Sequence, residues 1–361
     1  MASGDAKLKI AVSAISLNES KFVQQFCESA IDADLISIAD TGSTDGTDIK
    51  ARIHGATVHN ICISPWRFDH ARNAALALLP KDIDIVISLD LDETLEPGWR
   101  QEIERVWEEG KTTRLRYMFD WGAGIKFQYE KIFARHGYYF WHPCHEYPRA
   151  DKRIVEEYAY TDKLLVSHHP DPSKSRGQYL DLLQLSVDED PRCPRNAFYY
   201  ARELSFHGKR EEAIVACERY LEMPEATWQN ERCYALRVMG KCHEELGDLW
   251  QAECCYHRAA AEAPNTREPW VALALIHYTQ KRWPDSYAAA MRALAIKDRD
   301  LVYTCDPAVW GAQPHDLAAI AAWHMGMKEV AAEQGAIAVE LEPDNNRLQE
   351  NLLWFKGEKV A

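Results

Sequence analysis

Carboxylates directly follow two apolar runs near the start of the chain. Asp40 comes after Leu35–Ala39, and Asp90 and Asp92 come after Ile83–Leu89. Two carboxylates separated by one residue repel one another unless a positive group lies between them, and a divalent cation that holds a diphosphate meets that need. The pattern therefore predicts a site for a divalent cation and a phosphate-bearing ligand beside Asp90 and Asp92.

The segment Asp40–Thr47 has the composition of a turn between a strand and a helix. Its two glycines permit a tight turn and a close approach of a ligand to the backbone. Asp40 could accept a hydrogen bond from a base N–H or a ribose hydroxyl, and Asp45 could cap the helix that follows. Asn18 and Glu19, at the end of the first apolar run, offer an amide and a carboxylate. Together these side chains predict a nucleotide site.

Arg72 lies early in a helical pattern that precedes the second apolar run. A guanidinium at that position can hold Asp90 or a phosphate oxygen, because its planar fork of N–H groups matches both anions. Arg72 therefore adds an anion-binding group to the predicted site.

The elements that position these residues alternate between strand and helix over residues 7–170. Apolar runs rich in β-formers are separated by helical patterns at Lys21–Ile31, Thr47–His54 and Phe68–Leu79. Short connections between strand and helix predict a mostly parallel sheet with helices on its faces. Ligands bind at the carboxyl ends of the strands in such sheets, which is where the acidic residues lie. The first domain is expected to span residues 1–176.

Residues 177–361 have a different pattern, with Ala-rich helical periodicity and no β-run. A spacing of Gly-x4-Ala recurs at Gly208, Gly247 and Gly326, and Lys281 with Ser286 keeps the same frame without the glycine. Such a period indicates helix–turn–helix repeats of about 34 residues. We expect insertions near 226–231 and 303–314. Repeat stacks of this kind bind ligands or pair with a second copy, so a homodimer through the repeats is one expectation.

Composition limits the classes of function. The chain has 361 residues and a formal net charge of −14, which argues against a protein held on nucleic acid by bulk charge. Residues 111–153 carry nine basic and four acidic side chains, which could form a local basic face or an ordinary solvated one. The sequence contains no apolar run of the ~20 residues that a membrane helix needs. With no signal peptide and no C-x-x-C pair, we expect a cytoplasmic protein with reduced cysteines.

Taken as a set, four segments resemble the inverting family 2 glycosyltransferases of the GT-A fold. They are Leu17–Glu19, Asp40–Thr47, Ala71–Asn73 and Asp90–Glu93, and they occur in the order of that family. The resemblance covers residues 8–170, and one branch of the family carries C-terminal tetratricopeptide repeats. It implies an α/β, Rossmann-like catalytic domain, which binds a nucleotide-diphospho-sugar, followed by an all-α repeat domain at 177–361.

The resemblance also implies roles at the donor site. Asp40 would bind the uracil of a UDP-sugar, with Asn18 near the nucleotide, and Arg72 would support the diphosphate. Asp90 would contact the ribose or lie just beyond the metal ligands. Asp92 would ligate Mn²⁺ or Mg²⁺.

A late histidine completes the metal site in many GT-A enzymes. His168 is expected to do so here, with His169 as the alternative, because imidazole suits manganese as carboxylate does.

An inverting transfer needs a carboxylate that takes the proton of the acceptor hydroxyl. The segment Trp141–Pro148 resembles a His-Glu element of the repeat-containing branch. Glu146 is therefore the expected base, with Asp120 and Glu130 as alternatives. His145 could orient the base or bind a phosphate.

Several functions stay open at this point. The acceptor could be a hydroxyl or thiol of a peptide, a glycan, or a hydroxylated base of modified DNA. A non-catalytic interaction protein, in which the repeats are the working part, is the main alternative to an enzyme. A nucleotidyltransferase would need a Gly-rich basic loop after the first strand, and residues 11–20 lack one.

Overall fold

The structure is a computed structural model that describes residues 8–171 and 177–357. The chain divides into two compact units, with the boundary between Ser186 and Val187. The boundary expected at residue 176 lies outside the described residues.

The first unit is built on an eight-stranded sheet and a separate two-stranded one. In chain order its elements are β1 (Ile10–Ser16), α1 (Val23–Ser29), β2 (Leu35–Asp40), α2 (Thr47–Ile53), β3 (Thr57–Asn60), α3 (Phe68–Leu78), β4 (Ile85–Ser88), β5 (Glu93–Leu95), α4 (Trp99–Val106), β6 (Arg114–Gly122), β7 (Ile125–Ala134), β8 (Tyr138–Trp141), β9 (Tyr147–Ala150), β10 (Tyr158–His168) and α5 (Tyr179–Glu189).

The large sheet has the order β3-β2-β1-β4-β7-β6-β10-β5. Strands β1 to β4 pair in parallel, as the alternation of strands and helices predicts. The rest of the sheet is mixed: β7 is antiparallel to β4 and to β6, and β5 is antiparallel to β10. The predicted mostly parallel, Rossmann-like domain of the GT-A class is therefore corrected to a parallel half joined to a mixed half.

The hairpin of β6 and β7 is the physical reason for this difference. Its turn, between Gly122 and Ile125, contains two glycines with positive φ and reverses the chain direction. Buried and exposed side chains alternate along β6, as in a strand with one face packed and one face open. Residues 111–153 are thus largely strands, and their basic side chains are divided between exposed positions, such as Arg116 and Lys126, and the buried positions of Arg114 and Lys131.

The core of the first unit lies on both sides of the parallel strands. All seven residues of β1 are buried, and so are the four residues of β4. Strands covered on both faces have continuous apolar sequences, which is why these two were identifiable. Both strands end where the polar residues of the candidate site begin.

The second unit consists of TPR-like helical repeats. Its helices are α6 (Pro194–Phe206), α7 (Arg210–Glu222), α8 (Gln229–Glu245), α9 (Leu249–Glu262), α10 (Glu268–Thr279), α11 (Trp283–Ala295), α12 (Gln313–His324), α13 (Lys328–Leu341) and α14 (Asn346–Lys356), with a short 3-10 helix at Pro307–Trp310.

The four predicted repeat anchors all lie at the same point of a helical hairpin. Gly208, Gly247, Lys281 and Gly326 each follow the first helix of a pair and adopt positive φ between 59° and 85°. In every case the next residue donates its backbone N–H to a carbonyl five positions earlier, which is the Schellman pattern of helix ends. The residues five positions after the anchors are fully buried, so the predicted repeat frame is confirmed.

Both predicted insertions correspond to visible differences between repeats. The helix α8 has 17 residues where α10 has 12, so the longer spacing near 226–231 arises mainly from a longer helix. The connection 296–312 between α11 and α12 contains the short 3-10 helix and accounts for the insertion near 303–314.

Candidate functional site

Arg72 connects two of the predicted site residues. It lies on α3, is almost fully buried, and donates from Nη2 to Asp90 Oδ1 and from Nε to Glu146 Oε1. Its Nη1 atom lies 3.3 Å from Ser88 Oγ, at the end of β4. The guanidinium thus brings a carboxylate after β4 and one from the 142–146 loop into a single cluster. Arg149, three residues after Glu146, lies over the ring of Trp141.

A buried lysine that the sequence did not reveal completes this cluster. Lys131 on β7 places its Nζ atom 3.6 Å from Asp90 Oδ2, so both oxygens of Asp90 have a cationic partner. Nearby carboxylates, Asp90 first, raise the pKa of Lys131 against the effect of burial. Part of the charge compensation that predicted a metal ion at Asp90 therefore comes from Arg72 and Lys131. The Asp90 side chain is still 39% exposed, on the open side of the cluster.

Asp92 and His168 lie next to one another. The Nε2 atom of His168, at the end of β10, is 3.7 Å from Asp92 Oδ2, and both side chains are largely buried. Burial lowers the pKa of His168, but the hydrogen bond and charge of Asp92 outweigh it and raise that pKa above its ordinary value. A carboxylate and an imidazole at this separation suit a late divalent transition metal or Mn²⁺.

Aromatic rings surround His168 on the sheet. Trp121 stacks on the imidazole with 4.4 Å between ring centroids, and Phe119 lies 6.3 Å away. The rings of Phe119, Trp121, Phe127 and Tyr129 therefore form a packing surface of the β6–β7 hairpin that also contacts the imidazole. His169 is placed differently: its ring Nε2 is 2.8 Å from Thr94 Oγ1, and its backbone N–H donates to the carbonyl of Asp92.

Asp40 is buried in a hydrogen-bonded turn. One carboxylate oxygen accepts from the backbone N–H groups of Gly42 and Ser43, and the other accepts from the hydroxyls of Ser16 and Ser43. These bonds hold the loop between β2 and α2. To bind a base, as expected, Asp40 would have to use carboxylate oxygens that already accept these hydrogen bonds.

Asn18 and Glu19 also support the loops after the first strands. Asn18 has φ of 54° and accepts a hydrogen bond from the backbone N–H of Thr44. The backbone N–H of Glu19 donates to Thr47 Oγ1, while Asp45 accepts from the Thr47 N–H at the first turn of α2. The structure thus groups Asn18, Glu19 and Asp40 through this loop network.

The two alternative bases lie elsewhere on the sheet. Asp120 accepts from the Gly122 N–H and pairs with Lys126 across the hairpin turn. Glu130 forms ion pairs with Arg114 and Arg116, so it stabilises the sheet. His145 adopts a positive φ of 52° and stacks near Tyr179, one residue before Glu146.

Glu93 is a further buried carboxyl group beside the site. It accepts from the backbone N–H of Asp90, and burial raises its pKa to about 7. Neither Glu93 nor Lys131 has a sequence signal of its own, because a buried ionisable residue within a strand looks like any alternating polar position. The positive charges of Arg72 and Lys131 can attract an anion, and Asp92 and His168 can hold a cation between them.

No protein-family model matches this chain, and no curated protein matches it. Solved structures that it resembles include the TPR protein YrrB (TM-score 0.40, 13% identity, 49% of this chain and 84% of that one). They also include PilF of Pseudomonas aeruginosa (TM-score 0.38, 15% identity, 50% and 72%) and TTC0263 of Thermus thermophilus (TM-score 0.34, 18% identity, 50% and 91%).

These comparisons overturn the resemblance stated from the sequence. The similar structures named above are TPR-repeat proteins and none of them is a glycosyltransferase, so membership in the family 2 glycosyltransferases is not supported and the prediction is corrected. What stands is a TPR-like repeat unit preceded by a mixed sheet. Within the described ranges, no helix is both long and apolar enough to cross a membrane.

Proposed function

We propose that the repeat unit is an interaction module that binds an acidic segment of a partner protein on α6 and α8. The observation that carries this proposal is Arg202. Its guanidinium lies 4.6 Å from the ring centroid of Tyr199 and 5.6 Å from that of Phe206, and its buried Nε atom has no hydrogen-bond partner among the described residues. A guanidinium held flat on aromatic rings is well placed to receive a carboxylate.

Two more arginines lie close to aromatic rings. Arg195 lies 4.8 Å from Tyr199, and Arg237 on α8 lies 5.0 Å from the ring of Tyr234. Residues 177–361 carry an excess of acidic side chains, and α6 and α8 also contain the buried Glu203 and Glu231; the three arginines are the groups there that would attract a carboxylate. Charge complementarity favours acidic partners there and raises their association rate.

The chain's own 296–312 connection supports the idea that these helices hold a non-helical segment. Tyr303 stacks on Tyr199 at 6.1 Å and packs edge-on against Trp228 at 5.4 Å. Asn230 donates to Asp300 Oδ2 at 3.0 Å. An acidic residue and an aromatic residue of this connection, Asp300 and Tyr303, therefore already contact α6 and α8.

Fluorescence anisotropy with labelled acidic and basic peptides of equal length tests this proposal. We expect the acidic peptides to bind more tightly, with a Kd that rises with salt. Arg202→Gln should weaken binding about fivefold or more, whereas Arg219→Gln, an exposed arginine on α7, should not. Equal binding by both variants, or equal binding of both peptides, would refute the proposal.

We propose a second candidate function for the first unit: metal-dependent transfer of a sugar from a UDP-sugar. It rests on the side chains of the sheet edge and not on family membership. The supporting observation is that Asp92 and His168 lie together, while Arg72 and Lys131 both pair with Asp90, two residues before Asp92. Asp92 and His168 fit as ligands of Mn²⁺, and Arg72 and Lys131 would attract a diphosphate.

The chain's own residues would divide the work as follows. Asp92 and His168 would hold the cation, which neutralises charge on a departing diphosphate. Arg72 fixes the Glu146 carboxylate, which would take the proton from an acceptor hydroxyl or thiol. The acceptor classes are a peptide, a glycan and a hydroxylated DNA base, and only DNA binding should fall steeply with salt.

Calorimetric titration with UDP, with Mn²⁺ and then with EDTA, tests the donor site. We expect binding that needs the cation and is absent in Asp92→Ala, whereas Asp82→Asn, at an exposed acidic residue, should bind as the wild type does. Glu146→Gln should still bind UDP but lose transfer. If neither UDP nor a panel of other nucleotides binds, the enzyme proposal fails and the interaction module remains.

A further inference from the structure

A second cluster of potential metal ligands lies in the repeat unit, away from the arginine surface on α6 and α8. Glu253 and His257 are four residues apart on α9, so they lie on one face of that helix. His277 comes from α10 and faces them. Its Nε2 atom is 3.0 Å from Glu253 Oε1, and the Nε2 atom of His257 is 3.8 Å from the same oxygen.

We infer that Glu253, His257 and His277 bind a late divalent transition-metal ion such as Zn²⁺. The three ligand atoms all lie within 4.8 Å of one another, a spacing that an ion with bonds of about 2.0–2.2 Å closes by small side-chain rotations. Two imidazoles and one carboxylate suit Zn²⁺, Ni²⁺ or Co²⁺ and do not suit Ca²⁺ or Mg²⁺, which prefer oxygen ligands.

The surroundings orient the carboxylate toward the imidazoles. Arg282 donates from Nη1 to the other oxygen of Glu253 at 2.7 Å, and its own charge is shared with Asp285 at 2.8 Å. Partners of this kind fix the direction of a metal-binding carboxylate. The Oε1 atom of Glu253 is therefore the one that faces both histidines.

Exposure differs across the three ligands in a way that suits an accessible site. The His277 side chain is 6% exposed and that of His257 is 58% exposed. The ion would thus be bound by the buried imidazole of His277, and it could enter from solvent at the exposed His257. Three protein ligands leave a fourth position for water or another ligand.

The ion would connect two neighbouring repeats. Helix α9 is the second helix of one hairpin, and α10 is the first helix of the next. Because the stability of repeat proteins depends on interfaces between neighbours, the bound ion would stabilise the stack at this junction. The effect would appear as a midpoint of thermal unfolding that rises with the concentration of free Zn²⁺.

The full chain contains a matched control pair. Glu203 and His207 on α6 have the same four-residue spacing, with 3.5 Å between His207 Nε2 and Glu203 Oε1. Neither residue is part of the cluster of Glu253, His257 and His277. The variant His207→Ala removes a histidine of the same kind without touching the inferred site.

Calorimetric titration of the full chain with ZnCl₂ tests the inference, with Co²⁺ absorption as a second measurement. We expect one tight equivalent in the wild type, in His207→Ala and in His168→Ala. His257→Ala, at an exposed position, should weaken it at least tenfold and remove the thermal shift. His277→Gln, which keeps a donor to Glu253, should do the same.

The Co²⁺ spectrum should show imidazole and carboxylate ligation without thiolate bands. Tight binding that persists unchanged in both His257→Ala and His277→Gln would overturn the inference. So would a wild-type chain that binds Zn²⁺ no more tightly than His257→Ala. If His168→Ala alone removes the tight equivalent, the ion belongs to the sheet unit and the inferred site is refuted.

Discussion

The Nε2 atom of His168 lies 3.7 Å from the Oδ2 atom of Asp92, although the two residues come from distant parts of the sequence. The pairing of β10 with the short strand β5, which begins just after Asp92, brings them together. The glycosyltransferase resemblance implied both residues as metal ligands, and that resemblance is corrected above. Their proximity is an observation of the structure that does not depend on it, and it leads to the first prediction.

Asp92→Asn should lower the pKa of His168. Burial lowers this pKa, and the hydrogen bond and charge of Asp92 raise it, so the variant should titrate at a lower pH than the wild type. An NMR titration of His168 in EDTA measures the change. Asp45→Asn should leave the midpoint where it is. A midpoint unchanged in Asp92→Asn would contradict the ion pair.

The sign of the linked stability follows from the direction of the shift. A histidine with a raised pKa in the folded state stabilises the protein below its unfolded pKa of about 6.5, and this contribution disappears as the pH rises through the folded value. Asp92→Asn should therefore remove stability mainly on the acidic side of neutrality. Urea unfolding at pH 5.5 and pH 8 separates the two ranges.

Arg72→Met should destabilise the first unit strongly. The variant leaves the buried Glu146 carboxylate without its cation, and breaking a buried pair costs about 3–5 kcal/mol. Arg149 is exposed and contacts the ring of Trp141. Arg149→Met should therefore change the free energy of unfolding by less than about 0.5 kcal/mol. Denaturant unfolding of both variants measures the contrast. Equal losses would mean that Glu146 does not depend on Arg72.

How far the sequence predicts this fold depends on the kind of strand. The strands β1, β2 and β4 lie close to the predicted runs, because strands buried on both faces are continuous apolar segments. The hairpin of β6 and β7 is recognisable only as a basic stretch, since arginine and lysine occur both at exposed positions, Arg116 and Lys126, and at the buried positions of Arg114 and Lys131. Alternating polar and apolar residues indicate a strand less clearly than a continuous apolar run does.

The candidate site shows the same division. Asp92, His168 and Arg72 were identified because they follow or precede recognisable elements. Lys131 was missed because nothing in the sequence distinguishes a buried lysine within a strand from an exposed one. Its burial arises from the packing of β7 between β4 and β6, a long-range relationship that local patterns do not contain.

Asp40→Asn should remove an acid-dependent part of the stability. Burial opposes ionisation of Asp40, but hydrogen bonds from Ser43, Ser16 and Gly42 hold its pKa below the ordinary value of 3.8. Its contribution is therefore present above that value and is lost as the pH falls through the lower folded pKa. Unfolding measured from pH 5 to pH 2.5 should fall less steeply in the variant. If the stability of the wild type and of Asp40→Asn falls equally with pH, the pKa of Asp40 is not lowered in the folded protein.

Lys281→Gly should stabilise the repeat unit by about 0.5–1 kcal/mol. Lys281 has φ of 59° at the turn where the other three repeats have glycine, and a residue with a Cβ atom is strained in this conformation. The reverse change, Gly247→Lys, should cost a similar amount. Thermal unfolding of the two variants measures opposite shifts. A loss of stability in Lys281→Gly would show that the lysine side chain contributes more than the strain costs.

Gly240→Ala should destabilise the packing of α8 against α9. A Cβ atom at this position would lie 2.8 Å from Cδ1 of Tyr256, and overpacking of this kind costs about 1–3 kcal/mol. Gly311→Ala is the control, because its Cβ would meet its nearest neighbour at an ordinary 3.6 Å. Tyr256→Leu should restore part of the stability of Gly240→Ala, since it removes the ring that the methyl group meets. If Tyr256→Leu lowers the stability of Gly240→Ala as much as that of the wild type, close approach at Gly240 is not the cause of the loss.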